Sequence, residues 1–231
     1  MNTGLIIAVD GPSGAGKSSS SRLLAERLGY RYVDTGALYR AVGLLALEQQ
    51  VSGGDSDALA VLCEGLDLRF VSGPEGMRLL LGDRDITADI RRPEVSQMAS
   101  QVSAQPIVRQ RLLILQRDLG KGGRVVMEGR DIGTVDFPDA DVKFYLEASP
   151  EERGRRRYAE LQQQEQSESL VTTIQDMAER DQRDSGRTHA PLRRAADAMV
   201  VDTTTLTLAE VVEMLLHWVR EQPNADRKRK N

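Results

Sequence analysis

Gly11-Pro12-Ser13-Gly14-Ala15-Gly16-Lys17-Ser18 fits the pattern G-x-x-x-x-G-K-[ST] in full, with Ser19 directly behind it. Glycines at these places let successive backbone N–H groups converge on phosphate oxygens. A helix starting behind the loop adds the partial positive charge of its N-terminus. In such a loop Lys17 reaches the β- and γ-phosphates and the Ser18 hydroxyl ligates Mg²⁺. The context fits: Leu5-Ile6-Ile7-Ala8-Val9 reads as a buried strand before the loop. Leu23, Leu24 and Leu28 mark a helix after it that stops at Gly29. A dinucleotide fingerprint G-x-G-x-x-G fails, because the next glycine after Gly11 is Gly14. The ligand class is a nucleoside triphosphate.

Regulatory GTPases read guanine with an N/T-K-x-D element. The lysines are Lys17, Lys121, Lys143, Lys228 and Lys230, and none follows Asn or Thr. A motor ATPase needs more chain and partner domains, so phosphoryl transfer to a small acceptor leads. Candidates to hold that acceptor stand at the ends of further strands. Asp34-Thr35-Gly36-Ala37-Leu38-Tyr39-Arg40 follows one strand, with Thr35 as a helix N-cap and Arg40 one and a half turns in. Glu128-Gly129-Arg130-Asp131 follows Val125-Val126-Met127, where a carboxylate often faces a metal shell. Arg130 and Asp131 have a simpler reading as a local ion pair. Arg153, Arg155, Arg156 and Arg157 form a cluster, and Arg180, Asp184 and Arg187 fall at i, i+4 and i+7, one helical stripe. Arginines that close over a triphosphate exclude water and stabilise charge on the group in transit. His189, His217 and Cys63 are isolated and read as structural, which disfavours zinc.

The elements that must position these residues follow from 231 residues with 40% hydrophobic and 29% charged side chains, ordinary for a globular chain. The 31 basic residues divide into 26 Arg and 5 Lys, and Arg pairs bidentately with phosphate. A GC-rich genome explains part of that skew. A net charge of −4 argues against a dedicated nucleic-acid binder. The longest apolar stretch, Ala41 to Leu47, is far short of the ~20 residues a membrane span needs. No positive charge precedes Leu5, so no secretory leader is expected. A single cysteine fits a reducing compartment, and the cytoplasm is expected.

Along the chain, strands are expected at 5–9, 30–33, 124–127, 142–147 and 198–202. Helices are expected after the loop, from Thr35 to about Gln50, at 57–64, 93–105, 106–119, near 151–165, 170–181 and 208–220. Between them Leu66, Leu68 and Phe70 alternate with Asp67 and Arg69, a half-buried strand, followed by strands at 77–81 and 84–87. Strands separated by helices imply an α/β fold with a five-stranded parallel sheet, carrying a small antiparallel β insert. Ligands bind beyond the carboxyl ends of such strands, so the motifs should share one edge. The tail from residue 223 is expected to fray.

The loop at 11–18, the segment 34–40, Ala99-Ser100-Gln101-Val102, Glu128-Gly129-Arg130-Asp131-Ile132-Gly133-Thr134 and the run 180–187 together resemble the bacterial cytidylate kinases. The likeness covers residues 4 to 220. It implies a three-layer P-loop NTPase-type fold in one nucleoside monophosphate kinase domain. The insert at about 52–91 resembles that family's monophosphate-binding region, and about 151–185 its short helical lid. The resemblance implies ATP, with Mg²⁺, at Gly11, Pro12, Ser13, Gly14, Ala15, Gly16, Lys17, Ser18 and Ser19. It implies CMP or dCMP phosphate at Arg40, Arg130 and Arg187, with Thr35 nearby, and cytosine at Ser100, Arg109 and Asp131. Ribose falls to Arg180 and Asp184, and polyphosphate to the lid residues Arg153 and Arg157. Lys17, Arg130, Arg153, Arg157 and Arg187 are the expected catalytic set. Relatives with Gly at position 18 make the metal role of Ser18 weaker than the role of Lys17. No nucleic-acid or membrane partner is implied, and a monomer is expected. Alternatives from the residues are a UMP or other small-molecule kinase, or a nucleotide-gated binding module.

Overall fold

The computed structural model describes residues 4–73, 76–163 and 169–222. The chain divides into two compact units, one made of Met1–Asp34 with Arg117–Asn231 and the other of Thr35–Gln116.

In the first unit the strands are β1 (Ile6–Asp10), β2 (Arg31–Asp34), β6 (Val125–Gly129), β7 (Val142–Glu147) and β8 (Met199–Asp202). They form one parallel sheet in the order β2-β6-β1-β7-β8. Register sets Asp10 opposite Gly129 and Asp34 opposite Glu128, so the chemistry-bearing residues end their strands together. One sheet face packs Ile7, Val9, Val126, Phe144 and Leu146 against Leu24 and Ala25 of α1 (Lys17–Leu28). Val212, Leu215 and Leu216 of α8 (Leu208–Glu221) complete that core. α8 is started by a capping box between Thr207 and Glu210. α6 (Pro150–Gln163) and α7 (Leu170–Ser185) follow β7.

The second unit holds α2 (Thr35–Glu48), α3 (Ser56–Glu64), α4 (Pro93–Val102) and most of α5 (Pro106–Gly120). It also holds an antiparallel sheet of β3 (Leu68–Gly73), β4 (Gly76–Leu81) and β5 (Arg84–Asp85). The Asp55 carboxylate accepts from Ala58 N–H to cap α3, and Arg111 donates to the Cys63 and Leu66 carbonyls at its other end.

Several boundaries differ from expectation, each for a local reason. β5 stops at Asp85, not at 87, because the Thr87 hydroxyl accepts Leu79 N–H while Asp85 accepts Thr87 N–H, which closes the ladder. Arg124 takes φ 52° and cannot start β6. α4 ends at Val102, and a turn through Ser103 and Ala104 leads to Pro106, which disfavours helix in the residue before it. α7 runs on to Ser185, past the expected end at 181. Thr35 stands inside α2 as its first residue, not ahead of it as an N-cap. The tail at 223–231 and part of the expected helix near 165 lie outside the described residues.

α2 crosses α4 closely at Gly43, where a Cβ would stand 2.9 Å from Ala99 N and 3.1 Å from Val95 O. Both are backbone atoms and neither side can yield without moving a helix. In an exposed helix Gly→Ala stabilises by about 1 kcal/mol. Here the sign should reverse, with Gly43→Ala costing about 1–3 kcal/mol by overpacking. A lowered urea midpoint against wild type is the expected result, and a raised one would mean that the crossing is not tight.

Candidate active site

The glycine-rich loop leaves β1 at Gly11, which takes φ 147° and where a Cβ would collide with the Leu146 carbonyl oxygen. Gly16 at φ 82° starts α1. Three consecutive loop carbonyls are held from outside. Arg153 Nη1 donates to Ser13 O at 3.1 Å, Arg156 Nη1 to Gly14 O at 3.5 Å, and Thr203 Oγ1 to Ala15 O at 3.1 Å. Arg156 also donates to the Thr203 hydroxyl at 2.9 Å and carbonyl at 2.6 Å, which ties the two supports together. In a trans peptide the carbonyl and the next N–H point opposite ways. Holding these carbonyls outward therefore turns the N–H groups of Gly14, Ala15 and Gly16 inward, the arrangement an anion needs.

Lys17 is buried, and its Nζ donates to Pro12 O at 2.6 Å, so the ammonium lies within the loop. Burial, then the Arg130 guanidinium, pushes its pKa well below the ordinary lysine range. The Ser18 hydroxyl donates to Glu128 Oε2 at 3.1 Å, and the Tyr32 hydroxyl donates to Glu128 Oε1. Burial, then the neighbouring Asp34 carboxylate, pushes the Glu128 carboxyl up. Mg²⁺ takes oxygen ligands, usually one or two from the protein with phosphates and waters for the rest. Ser18, whose proton is committed to Glu128 and whose lone pairs are not, and the Glu128 carboxylate fit that donor set. Among the described residues no group of three or more His, Cys, Asp or Glu side chains forms a metal cage.

Arg130, Arg180 and Arg187 converge on Asp184. Arg130 Nε donates to Asp184 Oδ2 at 3.0 Å, Arg187 Nη2 donates to Oδ1, and Arg180 Nε lies 4.0 Å from Oδ2. Burial alone would raise the Asp184 carboxyl, but Arg130, Arg187 and Arg180 together hold it below the usual range. Arg187 reaches Asp184 from beyond the helix, past Gly186, so the expected helical stripe is a helix end and a turn. Arg153 also binds Asp181 and the Ala148 carbonyl, and it serves the loop's frame. Arg157 pairs with Glu160 at 3.2 Å. Asp131, buried, stands just before a π-helical turn at Ile132–Asp136.

In the second unit the Arg109 guanidinium lies 5.4 Å from the Tyr39 ring centroid and donates to Ser103 O at 3.3 Å. Ser103 Oγ in turn donates to Ser100 O, which brings Ser100, Arg109 and Tyr39 into one group. Ser100, Arg109 and Thr35 are buried, and Arg40 is half-buried on α2. Sequence reasoning named the loop, Glu128 and the arginines, Arg156 among its cluster, but missed Asp10, Tyr32 and Thr203 as parts of the site. Nothing in the local pattern marks these three, since each acts on a residue distant in the chain.

A family model described as "Cytidylate kinase" matches residues 7–221. A cytidylate kinase of a Geobacter species is 51% identical over 219 residues, covering 95% of this chain and 94% of that protein. The one from Geobacter sulfurreducens is 51% identical over 222 residues, at 96% and 95% coverage. Among solved structures, a gluconokinase from Sinorhizobium meliloti superposes with a TM-score of 0.50 at 18% identity, covering 99% of this chain and 98% of that one. An uncharacterised protein from Eubacterium ventriosum gives 0.53 at 10% identity, covering 94% and 99%. At such identities these two speak for the fold alone.

Lys17 must carry its proton to hold a triphosphate, and its environment in the free protein favours losing it. Binding of ATP should therefore take up protons and weaken as the pH rises above about 7, by up to about tenfold per pH unit. Calorimetric titrations in two buffers of different ionisation enthalpy read the uptake. Lys17→Arg, permanently charged, should abolish it. Zero uptake by wild type at pH 8 would mean that Lys17 is already fully charged.

Proposed function

We infer the reaction from kinship: the chain belongs to the cytidylate kinase family, and it transfers the γ-phosphoryl group of ATP to CMP, yielding ADP and CDP. Within the molecule, the observation that carries this reading is the loop whose carbonyls are tied outward beside a buried lysine. We propose dCMP as a second acceptor and direct in-line transfer. An oxygen of the CMP phosphate bonds to the γ-phosphorus as its bond to the β–γ bridging oxygen breaks. The attacking oxygen is already anionic, so no side-chain base is required and positioning does most of the work.

The ATP phosphates are assigned to the loop from Gly11 to Ser19, with Lys17 donating to the β- and γ-oxygens. Ser18 and Glu128 would hold Mg²⁺, whose charge, when it is bound, offsets that of the polyphosphate. Arg130 and Arg187 would meet the CMP phosphate, together with Arg40 and Thr35 of the second unit. Arg130 and Arg187 each hold Asp184 through one guanidinium nitrogen. Arg180 and Asp184 would take the ribose, and Arg153 and Arg157 the polyphosphate. Ser100, Arg109 and Asp131 would read cytosine. We further propose that residues about 52–91 serve monophosphate binding, that about 151–185 act as a lid, and that a single copy is the working unit. The cytoplasm is the proposed compartment, consistent with the lone, unpaired Cys63.

Cytosine presents an amino donor at C4 and an acceptor at N3, where uracil presents the reverse. An ionised carboxylate only accepts and a guanidinium only donates, so Asp131 suits the amino group and Arg109 the N3 or O2 atom. A hydrogen bond to a charged group contributes about 1.5–3 kcal/mol, which is roughly 10- to 150-fold in selectivity. Asp131→Ala should lower kcat/KM for CMP by that factor and leave UMP nearly unaffected. A coupled assay across CMP, dCMP, UMP, AMP and GMP on both proteins tests the function and the base reading together. Wild-type turnover with none of the five would overturn the kinase assignment, and an equal loss for CMP and UMP in the variant would overturn the role of Asp131.

A further inference from the structure

Asp10, the last residue of β1, is only 3% exposed. Its two oxygens accept separate main-chain hydrogen bonds, Oδ1 from Ile132 N–H at 2.8 Å and Oδ2 from Gly133 N–H at 2.7 Å. These are the first two residues of the π-helical turn, and Asp131 immediately precedes them. The Asp131 carbonyl accepts from Val135 N–H at 2.8 Å and from Thr134 and Asp136 N–H at 3.3 Å. The peptide group that follows the Asp131 side chain is thus pinned at both ends, its carbonyl by the turn and its N–H by Asp10. The Asp131 side chain does not cap the turn, and the Thr134 hydroxyl adds a bond to the Asp131 carbonyl at 3.3 Å.

The arrangement is energetically unfavourable for Asp10. Burial pushes its pKa up to about 6, and the Asp131 charge adds to that, while the two N–H groups and Lys17 oppose it. A buried carboxylate set beside another carboxylate is a poor device for stability alone. A π-turn closed by a carboxylate from another strand is a local irregularity of the kind found at functional sites.

We propose that Asp10 is a positioning residue for acceptor-base selection: by pinning Ile132 and Gly133 N–H it sets the backbone that aims the Asp131 carboxylate. This rests on the reading of Asp131 as the group that recognises cytosine. Asp10 acts only through Asp131, so its effect belongs to binding of the base and not to transfer of the phosphoryl group.

The test is a kinetic cycle of Asp10→Asn, Asp131→Ala and the double variant, each assayed with CMP and with UMP at saturating ATP. Asparagine keeps the shape of Asp10 but sets an NH₂ group against one of the two main-chain donors. Asp10→Asn should raise KM for CMP about tenfold, keep kcat within about threefold and lower the CMP:UMP ratio of kcat/KM about tenfold. KM for ATP should stay within about twofold. The double variant should match Asp131→Ala alone in that ratio, since neither loss adds to the other when one residue works through the other. If Asp131→Ala leaves the ratio intact, the base reading itself fails and the positioning role with it. If Asp131→Ala lowers the ratio and Asp10→Asn does not, only the positioning role is overturned. A rise in KM for ATP with an intact ratio would assign Asp10 to Lys17 and equally overturn it. Should Asp10→Asn fail to fold, Gly133→Ala perturbs the same bond from the other side, since its Cβ would stand 3.3 Å from Asp10 Oδ2. A lowered ratio there supports the proposal and an unchanged one overturns it.

Discussion

The peptide units from Ser13 to Ala15 must face their N–H groups inward, and most of the first unit can be understood as the means to that end. A loop of glycine and small residues has no intrinsic preference for this arrangement, and it loses much backbone entropy in adopting it. The outward carbonyls are where the structure acts. Arg153 and Arg156 from α6, with Thr203 from the turn after β8, each take one of them. Thr203 is itself fixed by donating its N–H to Glu147 O at the end of β7. The parallel sheet brings these strand ends to one edge, and the loop's support comes from two strands beyond the one that precedes it.

Positive charge is gathered on the same edge. One carboxylate, Asp184, serves Arg130, Arg187 and Arg180 together. Lys17 feels both Arg130 and Arg180 as well as its own burial. In a site shielded from water such repulsion is weakly screened. A phosphate that enters relieves it, and the relief grows with the anion's charge. Asp184 therefore does more than any single contact suggests. Without it three guanidinium groups would separate, and an anion would have to gather them at the expense of its own binding energy.

How much of this was legible in the sequence depends on how far each partner lies along the chain. The loop from Gly11 to Ser18 is contiguous, and its chemistry is written in consecutive residues. Glu128 and Arg130 were legible because a strand-end carboxylate and arginine are recognisable from the apolar run before them. Tyr32 on Glu128 and Thr203 on Ala15 were not, since a lone Tyr or Thr has many uses and its partner is 96 or 188 residues away. Arg153 and Arg156 were read within an arginine cluster that closes over a triphosphate, and their service to loop carbonyls only appears once α6 is set against the loop. The elements themselves were legible from apolar spacing, and the errors fell at ends, where a single hydroxyl such as Thr87 or one positive φ at Arg124 decides.

Two anchors divide the acceptor's side of the first unit. Arg130 and Asp131 are adjacent in sequence, yet Arg130 is fixed through Asp184 on α7 while the Asp131 backbone is fixed through Asp10 on β1. Gly129, opposite Asp10 in the sheet, is where the chain leaves the common strand for these separate supports. A group that binds phosphate must strengthen its contacts as charge shifts during transfer, so it benefits from some freedom to follow the reacting atoms. A group that reads a base sees the same hydrogen-bond pattern before and after transfer, and it benefits from rigidity instead. Arg130, a long side chain held by one ion pair from a helix end, has the first character. Asp131, short, buried and followed by a peptide group bonded at both its carbonyl and its N–H, has the second. On the proposed roles, neighbours just beyond one strand would serve speed and selectivity separately, because different parts of the fold restrain them.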